Sequence, residues 1–198
     1  MAIYALKPAF RKALAPIGRG LIGAGISADA VTVSGVVFAG LGGLGVWLGR
    51  DGGAWLLLLP VGAFLRTAAN ALDGWIAQET ATTRPIGEVL NETADRVGDV
   101  AIFLPVAFIP GVPLLLVAGA LSAMLVTSFL GIAVKAAGGP RVYTGIMGKP
   151  DRMVMMGAAG IAGMFLEPEA VFTTALWIVL VGAVVTLVQR AIIARREL

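Results

Sequence analysis

Six apolar stretches, at 31–48, 54–75, 87–109, 113–134, 153–166 and 170–189, fill most of the chain, and the connections at 49–53, 110–112 and 167–169 are short. A helix that crosses a bilayer needs ~20 mostly apolar residues. The fifth stretch falls short and borrows a turn from 149–152. The third is polar in its first half. No water-facing surface can be drawn around such a chain: 58% of its 198 residues are apolar, 14% are charged and the mean hydropathy is +0.91, whereas soluble domains carry about 25% charged residues. The 27 glycines sit inside the apolar runs, which excludes a disordered linker. The expectation is an all-α integral membrane protein with six transmembrane helices.

The few charges set the orientation. Lys7, Arg11, Lys12 and Arg19 precede the first stretch, and Arg84 lies between the second and third. Lys135, Arg141, Lys149 and Arg152 lie between the fourth and fifth, and Arg190, Arg195 and Arg196 close the chain. In an alternating six-helix arrangement these twelve share one side, against Arg50 alone on the other. The positive-inside rule then puts both termini in the cytoplasm of a multi-pass cell-membrane protein. Residues 4–26 are basic and amphipathic and are expected to lie on the cytoplasmic leaflet. The chain therefore divides into an interfacial helix within 1–27 and a six-helix bundle over 28–198, as one domain. The basic residues near the start interrupt any apolar leader, so no signal peptide is expected.

The residue inventory narrows the chemistry. The chain has no cysteine and no histidine, which removes thiolate metal sites and the commonest general base. Proton transfer falls to carboxylates, and any metal falls to oxygen donors. A net charge of +3, widely dispersed, gives no case for nucleic acid.

One polar stretch stands where apolar residues would be expected. Asn70 and Asp73 are i, i+3 on one helix; Gly87, Asn91 and Asp95 are i, i+4, i+8 on the next. Each set shares a helical face, and the short loop between the helices lets the two faces meet. Carboxylates inside a span usually face a cavity and serve function, and converging oxygens suit a hard cation such as Mg²⁺ or Mn²⁺. Glu88, Glu92, Asp95 and Asp99 form a further acidic stripe. Glu88 and Glu92 read as a solvated turn, and Asp99, deeper, calls for Arg66 or Arg96 as partner. Gly40, Gly42, Gly43 and Gly45, with Gly157, Gly160 and Gly163, permit close helix packing.

The stretch Asn70-x-x-Asp73-Gly74-x-x-Ala77-Gln78, eight residues, Gly87-x-x-x-Asn91-x-x-x-Asp95 resembles the signature D-x-x-D-G-x-x-A-R…G-x-x-x-D-x-x-x-D of the CDP-alcohol phosphotransferases. Every spacing is kept. Upstream, Ala28-Asp29-x-x-Thr32 is similar to the family's P-N-x-x-T element. The resemblance implies six spans, an N-terminal interfacial helix and a divalent-metal-dependent transferase of phospholipid biosynthesis. Such an enzyme transfers a phosphatidyl group from a CDP-linked lipid, such as CDP-diacylglycerol, to a small polar alcohol and releases CMP. It implies Asn70, Asp73, Asn91 and Asp95 as the metal set and Asp95 as the general base. Gly74, Ala77 and Gly87 would line the cytidine site, with Thr32 and Gln78 at the remaining matched positions. In phosphate-accepting members a basic region like that over 135–152 clamps glycerol 3-phosphate or inositol phosphate, which nominates Arg141, Lys149 and Arg152. A homodimer is compatible with the resemblance.

Three positions depart from the signature. Asn70 and Asn91 replace aspartates and Gln78 replaces the arginine. An asparagine keeps a carbonyl oxygen for a metal but loses the charge. The expectation is one metal in place of two, or weaker metal binding. The competing expectation is a weakened relative that binds nucleotide lipid or serves as a membrane scaffold.

Overall fold

The computed structural model describes residues 7–198 and is helical throughout its regular structure. The amphipathic stretch near the start forms a helix, α1, Lys7–Gly23; its first residues, 4–6, lie outside the described range. Gly25 (φ +72°) closes α1: Ile26 N–H bonds Leu21 O and Gly25 N–H bonds Ile22 O, a pairing that needs a left-handed residue at that point. Ser27 then caps α2, Ala28–Leu48, accepting a bond from Ala30 N–H at 3.2 Å.

A 3₁₀ turn over Ala54–Leu57 leads into α3, Leu58–Glu79, and α4 follows as Pro85–Phe103, extended by a 3₁₀ turn over Leu104–Phe108. The remaining helices are α5, Leu114–Ala136; α6, Lys149–Gly163; and α7, Pro168–Glu197. Each of the six apolar stretches thus became a helix. Four of the six are long and apolar enough to cross a membrane: α2, the continuous 3₁₀-plus-α3 segment, α5 and α7. α4 carries too many charges for that criterion and α6, at 15 residues, is too short.

α2 packs against both α3 and α4, α3 against α6, and α5 and α6 against α7. The larger core is filled by Leu56, Leu59, Phe103, Met124, Met156 and Phe172, all essentially inaccessible. A smaller core under α1 joins Leu14 to Leu72 and Ile76. Outward faces of α2 and α7 are as apolar as this core: Val37, Leu41 and Leu44 on α2, and Trp177, Val181 and Val188 on α7, are exposed. That inversion is expected where the surroundings are lipid.

Small residues set how closely the helices approach. A Cβ on Gly62 of α3 would lie 2.5 Å from Phe38 O and 2.7 Å from Gly42 N on α2, and Gly43 is pressed equally hard against the backbone of α4 at Ala101. Gly160 meets Pro60 in the same way. Gly40 is a correction to the expected packing set: nothing lies within 4 Å of where its Cβ would be, because it faces away from α3 and α4.

Candidate active site

α3 and α4, joined by the short loop 80–84, both pack on α2 and barely touch each other along their backbones, and their polar side chains meet across the seam. Asn91 Nδ2 donates to Asp73 Oδ2 at 2.6 Å, and Asn70 Nδ2 donates to Asp95 Oδ1 at 3.1 Å. The two asparagines therefore each serve one of the two retained aspartates, crosswise between the helices. Asp73 is 3% exposed. It also accepts from Thr32 Oγ1 on α2 at 2.9 Å and from Gly74 N–H at 2.6 Å. Thr32 thereby enters the site through the carboxylate it orients.

The first helical turn of α6 brings a cation to the same place. Lys149 Nζ bonds Asp95 Oδ1, the oxygen that also receives Asn70. Arg96 Nη2 lies 3.6 Å from the other oxygen, Oδ2. One turn deeper, Asp99 is fully buried among arginines. Arg66 Nη2 reaches Asp99 Oδ1 at 2.8 Å and the backbone carbonyl of Asp95 at 2.7 Å, while Arg152 Nη2 lies 3.4 Å from Asp99 Oδ2. The expected Arg66 partnership is thus present, with Arg96 Nε at 4.0 Å as a weaker second. Gly98 makes room for this: a Cβ there would stand 2.5 Å from Arg66 Nε.

Two spaces adjoin these groups. One of about 10 Å³ lies between Thr32, Arg66, Asn70, Asp73 and Asp95, room for a single water-sized particle. The other, about 610 Å³, opens beside it and is bounded by α1, α3, α4, α5, α6, α7 and the connection before α6. Six basic residues line it (Arg11, Arg96, Arg141, Lys149, Arg152 and Arg190) against three carboxylates, Asp73, Glu92 and Asp95. The buried Nε atoms of Arg11, Arg96 and Arg152 have no hydrogen-bond partner among the described residues, nor has Glu92 Oε2.

The other expected site residues divide. Gly74 lines the larger cavity; Ala77, Gln78 and Gly87 do not, and Gln78 is exposed. Arg141, Lys149 and Arg152 all line it, yet each is already paired with a carboxylate: Arg141 with Glu92 and Glu88, Lys149 with Asp95, Arg152 with Asp99. Arg141 also covers the Tyr143 ring, 4.6 Å from its centroid. Lys135 bonds Glu88, so the acidic turn at the start of α4 is ion-paired instead of merely solvated, and Glu92 is partly buried in the cavity wall.

Arg11 and Arg190 were not foreseen as lining residues. Arg190 donates to the carbonyls of Thr127, Tyr143 and Thr144, fastening the connection before α6 to α5 and α7. Its only sequence signal was a charge at the end of an apolar run.

Oxygen donors of this kind fit a divalent cation. Asp73 and Asp95 carry two negative charges, and turning either asparagine amide by half a revolution presents its carbonyl oxygen to the same space. No group of three or more Asp or Glu residues suited to a metal occurs among the described residues.

No protein-family model matches the chain. It is 33% identical over 177 residues to the inner membrane protein YnbA of Escherichia coli K12, covering 89% of this chain and 88% of that protein. It is also 33% identical over 193 residues to the phosphatidylinositol phosphate synthase of Mycolicibacterium smegmatis, covering 93% and 84%. The chain belongs to the CDP-alcohol phosphotransferase family.

Solved members of the family share its fold. The phosphatidylinositol phosphate synthase of Mycobacterium tuberculosis with CDP-DAG bound aligns at a TM-score of 0.73 and 25% identity, over 90% of this chain and 92% of that one. The same enzyme in complex with manganese and citrate aligns at 0.73 and 24%, over 91% and 88%.

Proposed function

We propose that the protein transfers a phosphatidyl group from CDP-diacylglycerol or a similar CDP-linked lipid to a small polar alcohol, releasing CMP. The observation that carries this reading is the cavity: six basic residues against three carboxylates, with the Asn–Asp pairs at one wall. A cavity with such a basic excess suits an anion. A pyrophosphate or phosphate-bearing substrate is that anion. The CDP-DAG bound to the Mycobacterium tuberculosis relative supports the donor class.

Asn70, Asp73, Asn91 and Asp95 are the residues that would hold a divalent cation, Mg²⁺ or Mn²⁺. Bound there, such a cation would offset charge on the pyrophosphate and on the departing CMP. Asp95, facing the cavity, accepts the proton of the acceptor hydroxyl. The hydroxyl oxygen forms a bond to the phosphorus nearer the lipid, the bond from that phosphorus to the CMP oxygen breaks, and CMP leaves with the electron pair. Thr32 Oγ1 and the Gly74 N–H hold the Asp73 carboxylate in place, and Gly74 leaves space at the cavity wall. Arg141 and Arg152, both lining the cavity, favour a phosphorylated acceptor such as glycerol 3-phosphate or inositol phosphate.

We further propose six spans with both termini and the site on the cytoplasmic side, α1 lying at that interface. The twelve-to-one split of basic residues supports this, as does the gathering at one end of the bundle of Thr32, Asp73, Asp95, Lys149 and Arg190. Residues 1–198 act as one domain.

Asn70 and Asn91 favour a second reading, a nucleotide-lipid-binding relative with little turnover. CMP release from CDP-diacylglycerol, measured in detergent with Mg²⁺ or Mn²⁺ and a panel of free and phosphorylated alcohols, separates the two. Acceptor-dependent CMP release supports the enzyme. Donor binding with no release for any acceptor supports the second reading.

A further inference from the structure

Lys149 stands at an unusual place for a residue that would grip an acceptor phosphate. Its ammonium bonds the same Asp95 oxygen that receives Asn70 and forms part of the cavity wall beside Asp73, Asn91 and Asp95. Its side chain is 19% exposed and that of Asp95 13%, so the pair is held largely away from water. Four carboxylates with the signature's spacing would carry four negative charges and call for two divalent ions. Here Asn70 and Asn91 remove two of those charges, and both amides spend their N–H donors on the aspartates that remain. A single divalent ion balances the two carboxylate charges that are left, those of Asp73 and Asp95. A pyrophosphate entering such a site would still lack the positive charge of the second.

We propose that Lys149 supplies that charge: the ammonium, held on Asp95, is a built-in cation standing where the chain no longer holds a second metal, and it binds the donor's pyrophosphate. This deepens the reading of the site given above and rests on it. Two features argue for it over a purely structural ion pair. Lys149 begins α6, so its Cα is fixed by the helix while its ammonium reaches across to α4. And the deeper pair Arg152–Asp99, from the same turn of α6, already ties these two helices together in the core.

The test counts metal directly. Purified protein in detergent is titrated with Mn²⁺ and free Mn²⁺ is followed by its electron paramagnetic resonance signal. The wild type is expected to bind one Mn²⁺ per chain. Asn70→Asp/Asn91→Asp/Lys149→Met is expected to bind two, and the same pair of aspartates with Lys149 kept should bind the second ion more weakly. Two Mn²⁺ in the wild type, or a count in the double and triple variants that ignores Lys149, overturns the proposal. In parallel, Lys149→Met should weaken equilibrium binding of CDP-diacylglycerol about ten- to a hundredfold, the worth of a charge-assisted hydrogen bond, while Lys149→Arg retains it. Equal binding by wild type and Lys149→Met also overturns it. If the triple variant does not fold, the donor-binding comparison of Lys149→Met with Lys149→Arg decides alone. A wild type that binds no CDP-diacylglycerol sinks the phosphatidyl-transfer reading, and the Mn²⁺ count then decides the role of Lys149 separately.

Discussion

Asp95 and Asp99 sit one turn apart on α4, on one face, and their surroundings are opposite. Asp95 lines the cavity and its partners are an amide, an ammonium and a distant guanidinium. Asp99 is sealed off and held by Arg66 and Arg152 from two other helices. The first can exchange its partners for a substrate or a metal; the second cannot move without leaving a buried charge unpaired. Spacing alone makes them equivalent, and burial separates a carboxylate that acts from one that holds. The two are linked, since Arg66 bonds both Asp99 and the backbone carbonyl of Asp95.

The sharpest way to break this contrast is Asp99→Ala. Removing one partner of a buried ion pair costs about 3–5 kcal/mol, so thermal unfolding in detergent should show a severely destabilised protein. A variant as stable as wild type would mean the cluster is wetter than it appears and Asp99 resembles Asp95. Next comes Thr32→Val, which takes one hydrogen bond from Asp73 and leaves the fold in place. Outer-shell changes of this kind typically lower metal affinity about 10–100-fold, to be read as a shift in the Mn²⁺ titration beside a stability loss of about 1–3 kcal/mol.

Two smaller effects sharpen the boundary between site and support. Ala81, in the loop joining α3 to α4, has φ +52°, a left-handed conformation that costs a non-glycine residue about 1–2 kcal/mol. Ala81→Gly should raise stability by about 1 kcal/mol or slightly less after the added chain entropy, with CMP release unaltered. Arg84→Ala removes the exposed pair with Asp29; about 1 kcal/mol or less is expected, and a larger loss would show that the α2–α4 contact at this end carries more of the site's geometry than the aspartates do.

Much of this arrangement was legible in the residues. Apolar run lengths gave each helix, and the i, i+3 and i, i+4 spacing brought Asn70, Asp73, Asn91 and Asp95 to one seam, because a short loop leaves antiparallel neighbours few other registers. Arg66 and Asp99 were legible as partners because charges inside an apolar segment must find each other. What periodicity could not give is which distant helix folds back onto the seam. Lys149 and Arg190 are loop- and end-proximal charges whose roles depend on how α6 and α7 pack, and Arg11 on where α1 docks. Gly40 is indistinguishable in sequence from Gly42 and Gly43, since only the direction of α2's neighbours tells a packed glycine from an outward one.

The central claim is that Asp95, at the cavity, is the group that takes the acceptor's proton. Asp95→Asn is the direct measure, with CDP-diacylglycerol binding and CMP release followed on the same preparation. The account predicts donor binding largely retained and CMP release reduced about 10²–10⁴-fold. CMP release near the wild-type rate would contradict it.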